Sequence, residues 1–199
     1  PNTTDNATSD WRSTNMTIFL NCTDNITACN VTLYCVYATD EFPCTPGIVG
    51  NYVDVGCNNG STCRKYVRYR SNDTVGNLET IKNTTMIRID KEGPSIVINN
   101  PKSGYNYSGV ITLSANITDS GIGQILNNNA SYYIINASNL SETVKSGNLT
   151  SPYWNDTWNS SNYTNGTFVF KIIAQDTLGN SKTANITFYV DNQVPTAII

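Results

Sequence analysis

Residues 71–77 read SNDTVGN and residues 174–180 read AQDTLGN, one motif written twice in a chain of 199 residues. Each copy follows an alternating apolar–polar run, YVRYR or FVFKIIA, and each leads into another, TTMIRID or TANITFYVD. A duplication of this kind limits the fold sharply, because each copy must bury its own apolar face. The motif itself has the chemistry of a tight hairpin. The carboxylate of Asp73 or Asp176 bonds nearby backbone amides, and Gly76 or Gly179 takes the positive φ of the turn. Farther on, DKEGP (90–94) answers DNQVP (191–195), where Pro stops a strand and stiffens a short linker. Upstream, FLNCTDN (19–25) and SANITDS (114–120) match as a strand running into a Thr-Asp turn. The chain therefore reads as two copies of one unit, residues 1–92 and 93–194. PTAII (195–199) is then the start of a next repeat, or a strand donated to a neighbour.

In the second copy, strands are expected at SIVIN, VITLSANI, SYYII, PYWNDTW, TFVFKIIA and KTANITFYV. They are short, alternate in polarity, and are parted by Asn, Gly and Ser turns, with no helical period. Six or seven such strands per unit predict an all-β chain of two tandem antiparallel β-sandwiches.

The six cysteines, Cys22, Cys29, Cys35, Cys44, Cys57 and Cys63, all fall in the first unit. With no Cys-x-x-Cys pair and no His, a zinc or redox site is not expected. Three disulfides in an oxidising compartment fit better. Spacing leaves the connectivity open. The local pairing Cys22–Cys29, Cys35–Cys44, Cys57–Cys63 is preferred, the last closing the turn NNGST, where Asn59-Gly60 is a hairpin signal.

Asn followed two places later by Ser or Thr is the acceptor pattern for N-linked sugar. It occurs at Asn2, Asn6, Asn15, Asn21, Asn25, Asn30, Asn59, Asn72, Asn83, Asn106, Asn116, Asn129, Asn136, Asn139, Asn148, Asn155, Asn159, Asn162, Asn165 and Asn185. With 29 Asn and 43 Ser plus Thr in 199 residues, chance placement would give about six such sites, against these 20. The excess marks a glycoprotein carrying covalent N-glycans. Asn165, within Asn-Gly-Thr, also belongs to the turn chemistry of its unit.

Only 14% of residues are charged, against roughly a quarter in an ordinary soluble protein, and the net charge is −3. There is no basic excess of the kind nucleic-acid binding requires. No apolar run approaches the roughly 18 residues of a membrane span. Lacking an initiator Met and a signal peptide, the sequence reads as a processed or excerpted piece of a longer protein.

The run YWNDTWNSSNYTNGTFVFKIIAQDTLGNSKTANITFYVDNQVP resembles the C-terminal half of the immunoglobulin-like repeats found in tandem on prokaryotic surface proteins. The shared elements are a Trp, a polar loop ending in Asn-Gly-Thr, a strand, Asp-x-x-Gly-Asn, a last strand, and Asp-x-x-x-Pro. The first copy, in NCTDNITAC, TLYCVY, CNNGSTCRKYVRYRSNDTVGN and IRIDKEGP, is similar to a cysteine-rich variant of that repeat in archaeal surface proteins. The resemblance implies an immunoglobulin-like sandwich in each unit and an extracellular setting at the cell surface. The density of acceptors favours an archaeal source.

Chemistry is hard to place on these residues. The carboxylates sit singly in turns and linkers, with no nucleophile motif and no phosphate loop, so no catalytic site and no cofactor are expected. Ca²⁺ is the one metal considered, at Asp90 and Glu92 of one linker and Asp191 and Asn192 of the other. A calcium ion wants six to eight oxygens, and turn residues bonding their own backbone are the stronger reading there. On RKYVRYR, alternation puts Arg64, Arg68 and Arg70 on one face, with Val67 and Tyr69 on the other. That face is either a patch for acidic sugars or a neighbouring subunit, or a solvated surface paired with acids on the adjoining strand. Trp154 and Trp158 are candidates for sugar stacking, with a core position expected for at least one.

Two functions follow. The first is structural: a segment of a cell-surface layer, stalk or filament that self-assembles through rigid domains. The alternative is an adhesin whose loops or arginine face grip a host cell or a polysaccharide.

Overall fold

The computed structural model describes residues 1–119, 124–139 and 143–195. The chain divides into two compact units, Pro1–Glu92 and Gly93–Ile199. The last residues of PTAII, 196–199, lie outside the described residues.

The first unit holds β1 (Asn2–Asp5), β2 (Trp11–Arg12), β3 (Met16–Thr23), β4 (Cys29–Ala38), β5 (Ile48–Val49), β6 (Tyr52–Val55), β7 (Thr62–Asp73), β8 (Lys82–Asn83) and β9 (Ile87–Asp90). They form a small sheet, β1-β3-β6, and a large one, β2-β9-β7-β4-β5, with β8 against β7. The second unit holds β10 (Ser95–Asn100), β11 (Asn106–Tyr107), β12 (Val110–Thr118), β13 (Asn129–Asn136), β14 (Thr143–Thr150), β15 (Asn155–Asn159), β16 (Gly166–Gln175) and β17 (Ser181–Val190). Its sheets are β10-β12-β15 and β11-β17-β16-β13-β14. Apart from β8, the two units match strand for strand. In both, the first strand is split. Its opening half pairs antiparallel in the small sheet, β1 with β3 and β10 with β12. The next runs parallel to the last strand of the large sheet, β2 to β9 and β11 to β17. The chain is all-β, two immunoglobulin-like sandwiches, the first disulfide-rich.

Alternation explains the layers. In β3, Met16, Ile18 and Leu20 point inward while Phe19 and Asn21 face solvent. They meet Val55, Val67, Tyr69, Ile87 and Ile89 from both sheets to form one core. In the second unit Ile111, Leu113 and Ile117 of β12 face Ile134, Phe168, Phe170, Ile172 and Phe188 of the large sheet. Each such side chain contributes about 1.5–3 kcal/mol by leaving water. A core position was expected for at least one of Trp154 and Trp158, and both are in the core, at 7% and 3% exposure. Trp158 lies 5.2 Å from both Tyr163 and Phe168. A sugar therefore has no access to their ring faces. Of the pair Tyr132–Tyr133, the first is buried and the second half-buried, on opposite faces of β13.

The duplicated motif has the same atomic form twice. Asp176 Oδ1 accepts from the amides of Leu178 (2.9 Å) and Asn180 (2.8 Å), and its Oδ2 from Asn180 Nδ2 (2.8 Å). Asp73 Oδ1 accepts from Val75 (3.1 Å) and Asn77 (2.8 Å), and Oδ2 from Asn77 Nδ2 (2.7 Å). Gly179 and Gly76 sit at φ 90° and 93°, where a Cβ would be strained. A second shared device crosses each sandwich. Tyr69 of β7 donates its hydroxyl to Asp5 of β1 at 2.7 Å, and Tyr132 of β13 donates to Asp156 of β15.

The disulfides join Cys22 to Cys29, Cys35 to Cys44 and Cys57 to Cys63.

Two local expectations change. Asn59-Gly60 does form a turn, with Gly60 at φ 73°, but not a hairpin. The strands it connects, β6 and β7, belong to different sheets. An Asn-Gly pair favours a reversal, whereas the partner of each strand is set by which face its apolar residues must cover. The hairpin after Asp73 is also interrupted. Glu79 turns inward to accept the amides of Thr3 (2.7 Å) and Ser71 (3.2 Å). The ladder resumes through Thr84, whose hydroxyl accepts from Val67 N at 3.0 Å.

Candidate functional site: glycan acceptors and an arginine face

Of the 20 acceptor asparagines, 17 are exposed and three, Asn72, Asn129 and Asn136, are half-buried. The other nine Asn are likewise exposed or half-buried, so exposure permits modification without selecting these sites. Their placement follows strand parity. On the small sheet of the second unit, Asn116, Asn155 and Asn159 alternate with Ile117 and Trp158, which point inward. On its large sheet, Asn148 lies opposite Ser131 and Asn185 opposite Lys171, on the solvent side. In the first unit Asn21 is on the outer face of β3, and Asn59 occupies a turn. Acceptors thus reach the outer face of both sheets in the second unit.

Among the described residues, Asn165 and Asn6 already use the nitrogen that would carry sugar. Asn165 Nδ2 donates to Asp191 Oδ1 at 2.8 Å while its Oδ1 accepts from Asn192 N at 2.8 Å, tying the start of β16 to the end of β17. Asn6 Nδ2 donates to Thr17 O at 3.3 Å, and its Oδ1 accepts from Phe19 N at 2.8 Å. Asn159 Oδ1 instead caps the short 3₁₀ turn Ser160–Asn162 by accepting from Ser161 N.

The residues considered for Ca²⁺ are engaged in turns. Asp90 is fully buried and accepts from Thr62 Oγ1 (2.8 Å) and Glu92 N (2.9 Å). Asp191 accepts from Asn165 and from Gln193 N (3.0 Å), and Asn192 Nδ2 donates to Ser160 O (2.9 Å). Among the described residues, no three carboxylate, Cys or His groups gather as a metal site.

Arg64, Arg68 and Arg70 share one face of β7, as alternation requires, and the structure adds Arg88 from β9 directly opposite Arg64. Among the described residues, no arginine of this face forms an ion pair with an acid on the adjoining strand, the bland expectation for it. The ion pairs among the described residues join Pro1 to Asp24, Lys82 to Glu79 and Lys145 to Asp156, and none involves an arginine. The reason lies in the neighbours: β4 sets Leu33, Cys35 and Tyr37 opposite Arg70, Arg68 and Tyr66. Sequence alone missed Arg88 because IRID shows alternation but not which strand it will adjoin.

Electrostatics elsewhere serve the fold. Desolvation pushes Asp156 upward, but the bond from Tyr132, the Thr157 amide and nearby Lys145 outweigh it and hold the carboxyl below its usual range. Glu79 behaves alike, with desolvation overcome by Lys82, Thr3 and Ser71. Burial first, and then donation to Asp5 or Asp156, pushes the Tyr69 and Tyr132 hydroxyls well above a normal phenol.

No protein-family model matches the chain, and no curated protein matches it. Among solved structures it is similar to the fibronectin(III)-like modules of Clostridium thermocellum CbhA, at 14% identity over 92% of this chain and 88% of that one, with a TM-score of 0.38. It is also similar to the FN1–FN3 domains of chicken CNTN1, at 12% identity over 95% of this chain and 66% of that one, TM-score 0.42. A third likeness is to latent PorU of Porphyromonas gingivalis, at 11% identity over 94% of this chain and 22% of that one, TM-score 0.35. Likenesses this distant carry no argument about function.

Proposed function

We propose that the chain is a segment of an extracellular structural glycoprotein, part of a cell-surface layer, stalk or filament that assembles through its immunoglobulin-like domains. The observation that carries this reading is the set of 20 acceptors, about threefold above chance, all of them exposed or half-buried. Sugar on both outer sheet faces of the second unit leaves little of that unit's surface for a ligand and suits a molecule whose task is to stand in the environment intact. Three disulfides in the first unit support an oxidising setting. The mechanism is mechanical: stapled sandwiches hold spacing, and glycans shield faces and edges. In this reading the chain is not an enzyme, needs no cofactor, and has copies of itself or neighbouring repeats as partners, with PTAII available to pair with a neighbouring sheet edge.

Electron microscopy of the protein purified from its source cells tests the proposal. An ordered lattice or filament with density branching from asparagines is the expected result. Isolated single molecules at high concentration, with bare asparagines, would overturn it. The adhesin reading would then stand, resting on the arginine face.

A further inference from the structure

The outer face of the large sheet in the first unit carries a cationic row that its own fold leaves uncompensated. β7 presents Arg64, Tyr66, Arg68 and Arg70 outward at two-residue steps, about 20 Å from first to last at strand spacing. Arg88 lies opposite Arg64, and like charges placed directly across a ladder destabilise it. No carboxylate offsets them by an ion pair among the described residues. Nε of Arg68, Arg70 and Arg88 is shielded from water and has no hydrogen-bond partner.

The row is also held in place. Arg68 donates to Cys44 O at 3.2 Å, and Cys44 is bonded to Cys35, the residue opposite Arg68 on β4. The disulfide-closed loop therefore orients this guanidinium. Arg64 lies over the Trp11 ring at 5.4 Å. Tyr37 and Tyr66 stack at 5.4 Å between the two ends of the row. Residues 31–58 and 60–71, which build most of this face, contain no glycan acceptor; Asn72 extends the row at the end of β7, and Asn83 of β8 lies directly opposite Arg68, so a sugar there would flank the row's middle.

The occupant must bring acid. A second copy of this chain is poorly equipped to do so. Asp10 and Asp40 are exposed and uncommitted, but the other described carboxylates are engaged in their own fold, as with Asp5, Asp54, Asp156, Asp176 and Asp191. Along this face charge runs down the middle, with aromatic rings interleaved.

We infer that this face binds a linear carboxylate-bearing polysaccharide. Guanidinium groups fork successive carboxylates, and the rings of Trp11, Tyr37 and Tyr66 offer apolar faces to the sugar rings between them. The inference does not rest on the assembly reading: a protein that forms no lattice can still carry this face.

The test is mobility of the full, disulfide-intact chain in gels containing polygalacturonate, with neutral dextran as reference. The wild type is expected to be retarded by polygalacturonate alone. Arg68→Gln with Arg70→Gln should weaken binding by at least about tenfold, and Arg70→Lys should not restore Arg70→Gln fully, because an ammonium cannot fork a carboxylate. Lys102→Gln with Lys182→Gln makes the same charge change in the second unit and should leave binding intact. Arg88→Gln guards against misfolding. It removes a like-charge opposition, so it should melt no lower than wild type and still bind less. Equal mobility in both gels, unchanged affinity in the arginine variants, or an equal loss in the lysine pair would each overturn the inference.

Discussion

At the scale of single residues, the turn motif shows how little chemistry a fold needs in order to repeat itself. Asp176 satisfies two amides and an Asn side chain, and Gly179 supplies a backbone conformation that other residues resist. Gly179→Ala should cost about 1–2 kcal/mol, and Asp176→Ala a similar amount through the lost turn bonds; chemical denaturation reads both. This much was legible in SNDTVGN and AQDTLGN, because a carboxylate three residues before Gly-Asn can do little else in so short a loop. The tyrosine–aspartate bonds were not legible. Tyr69 and Asp5 are 64 positions apart, and nothing local marks them as partners. Their consequence is a pH window. Asp156 and Glu79 have depressed folded-state pKa values. Their stabilisation is therefore present above the ordinary carboxylate range, near pH 4, and is lost as pH falls below it. Tyr69 and Tyr132 have raised values, so their contribution is complete below the ordinary phenol value, near pH 10, and is lost as pH rises beyond it. Thermal melts should give a plateau from about pH 4 to about pH 10, with a fall on both sides.

At the scale of elements, strand existence was read well and strand partnership in part: across the duplicated turns β16 pairs with β17 and β7 with β9, as expected. SIVIN, VITLSANI, TFVFKIIA and KTANITFYV are strands within a residue or two of their expected limits, because alternation over a buried face is a local signal. PYWNDTW starts as a strand later than expected, at Asn155, since Trp154 is in a turn with φ 46°. The strands β11 and β14 went unseen: one is two residues long, and the other, TVKSGNLT, buries only Leu149 fully. The crossing at Asn59-Gly60 was misjudged because a turn signal says where the chain reverses, not which sheet it enters. The same scale holds the disulfides. Their loops are short, with separations of 7, 9 and 6 residues, so chain-entropy reasoning gives about 2–3 kcal/mol for each. Reduction should lower the melting transition of the first unit and leave the second, which has no cysteine, unmoved; calorimetry with and without reductant separates the two. Within the second unit, Phe170→Ala should cost about 3–5 kcal/mol, because its ring is fully buried and touches Tyr132 edge-on.

At the scale of the whole molecule, the acceptor set was legible and its geometry was not. Twenty triplets can be counted, but parity on folded strands decides which asparagine nitrogen is free to carry sugar. Site-resolved glycopeptide mass spectrometry should find higher occupancy at Asn155 and Asn162 than at Asn165, whose amide is tied to Asp191. Equal occupancy would show that the clamp opens before sugar is added. The split first strand has a consequence of another kind. In each unit the entering strand runs parallel to the leaving one, β2 beside β9 and β11 beside β17. Tension applied to the two ends of a unit therefore drags these neighbours past each other lengthwise. The backbone bonds between them, such as Tyr189 N to Tyr105 O and Asp191 N to Tyr107 O, share that load together, whereas peeling would break them one after another. A unit wired in this way resists a steady pull far better than its equilibrium stability alone would suggest.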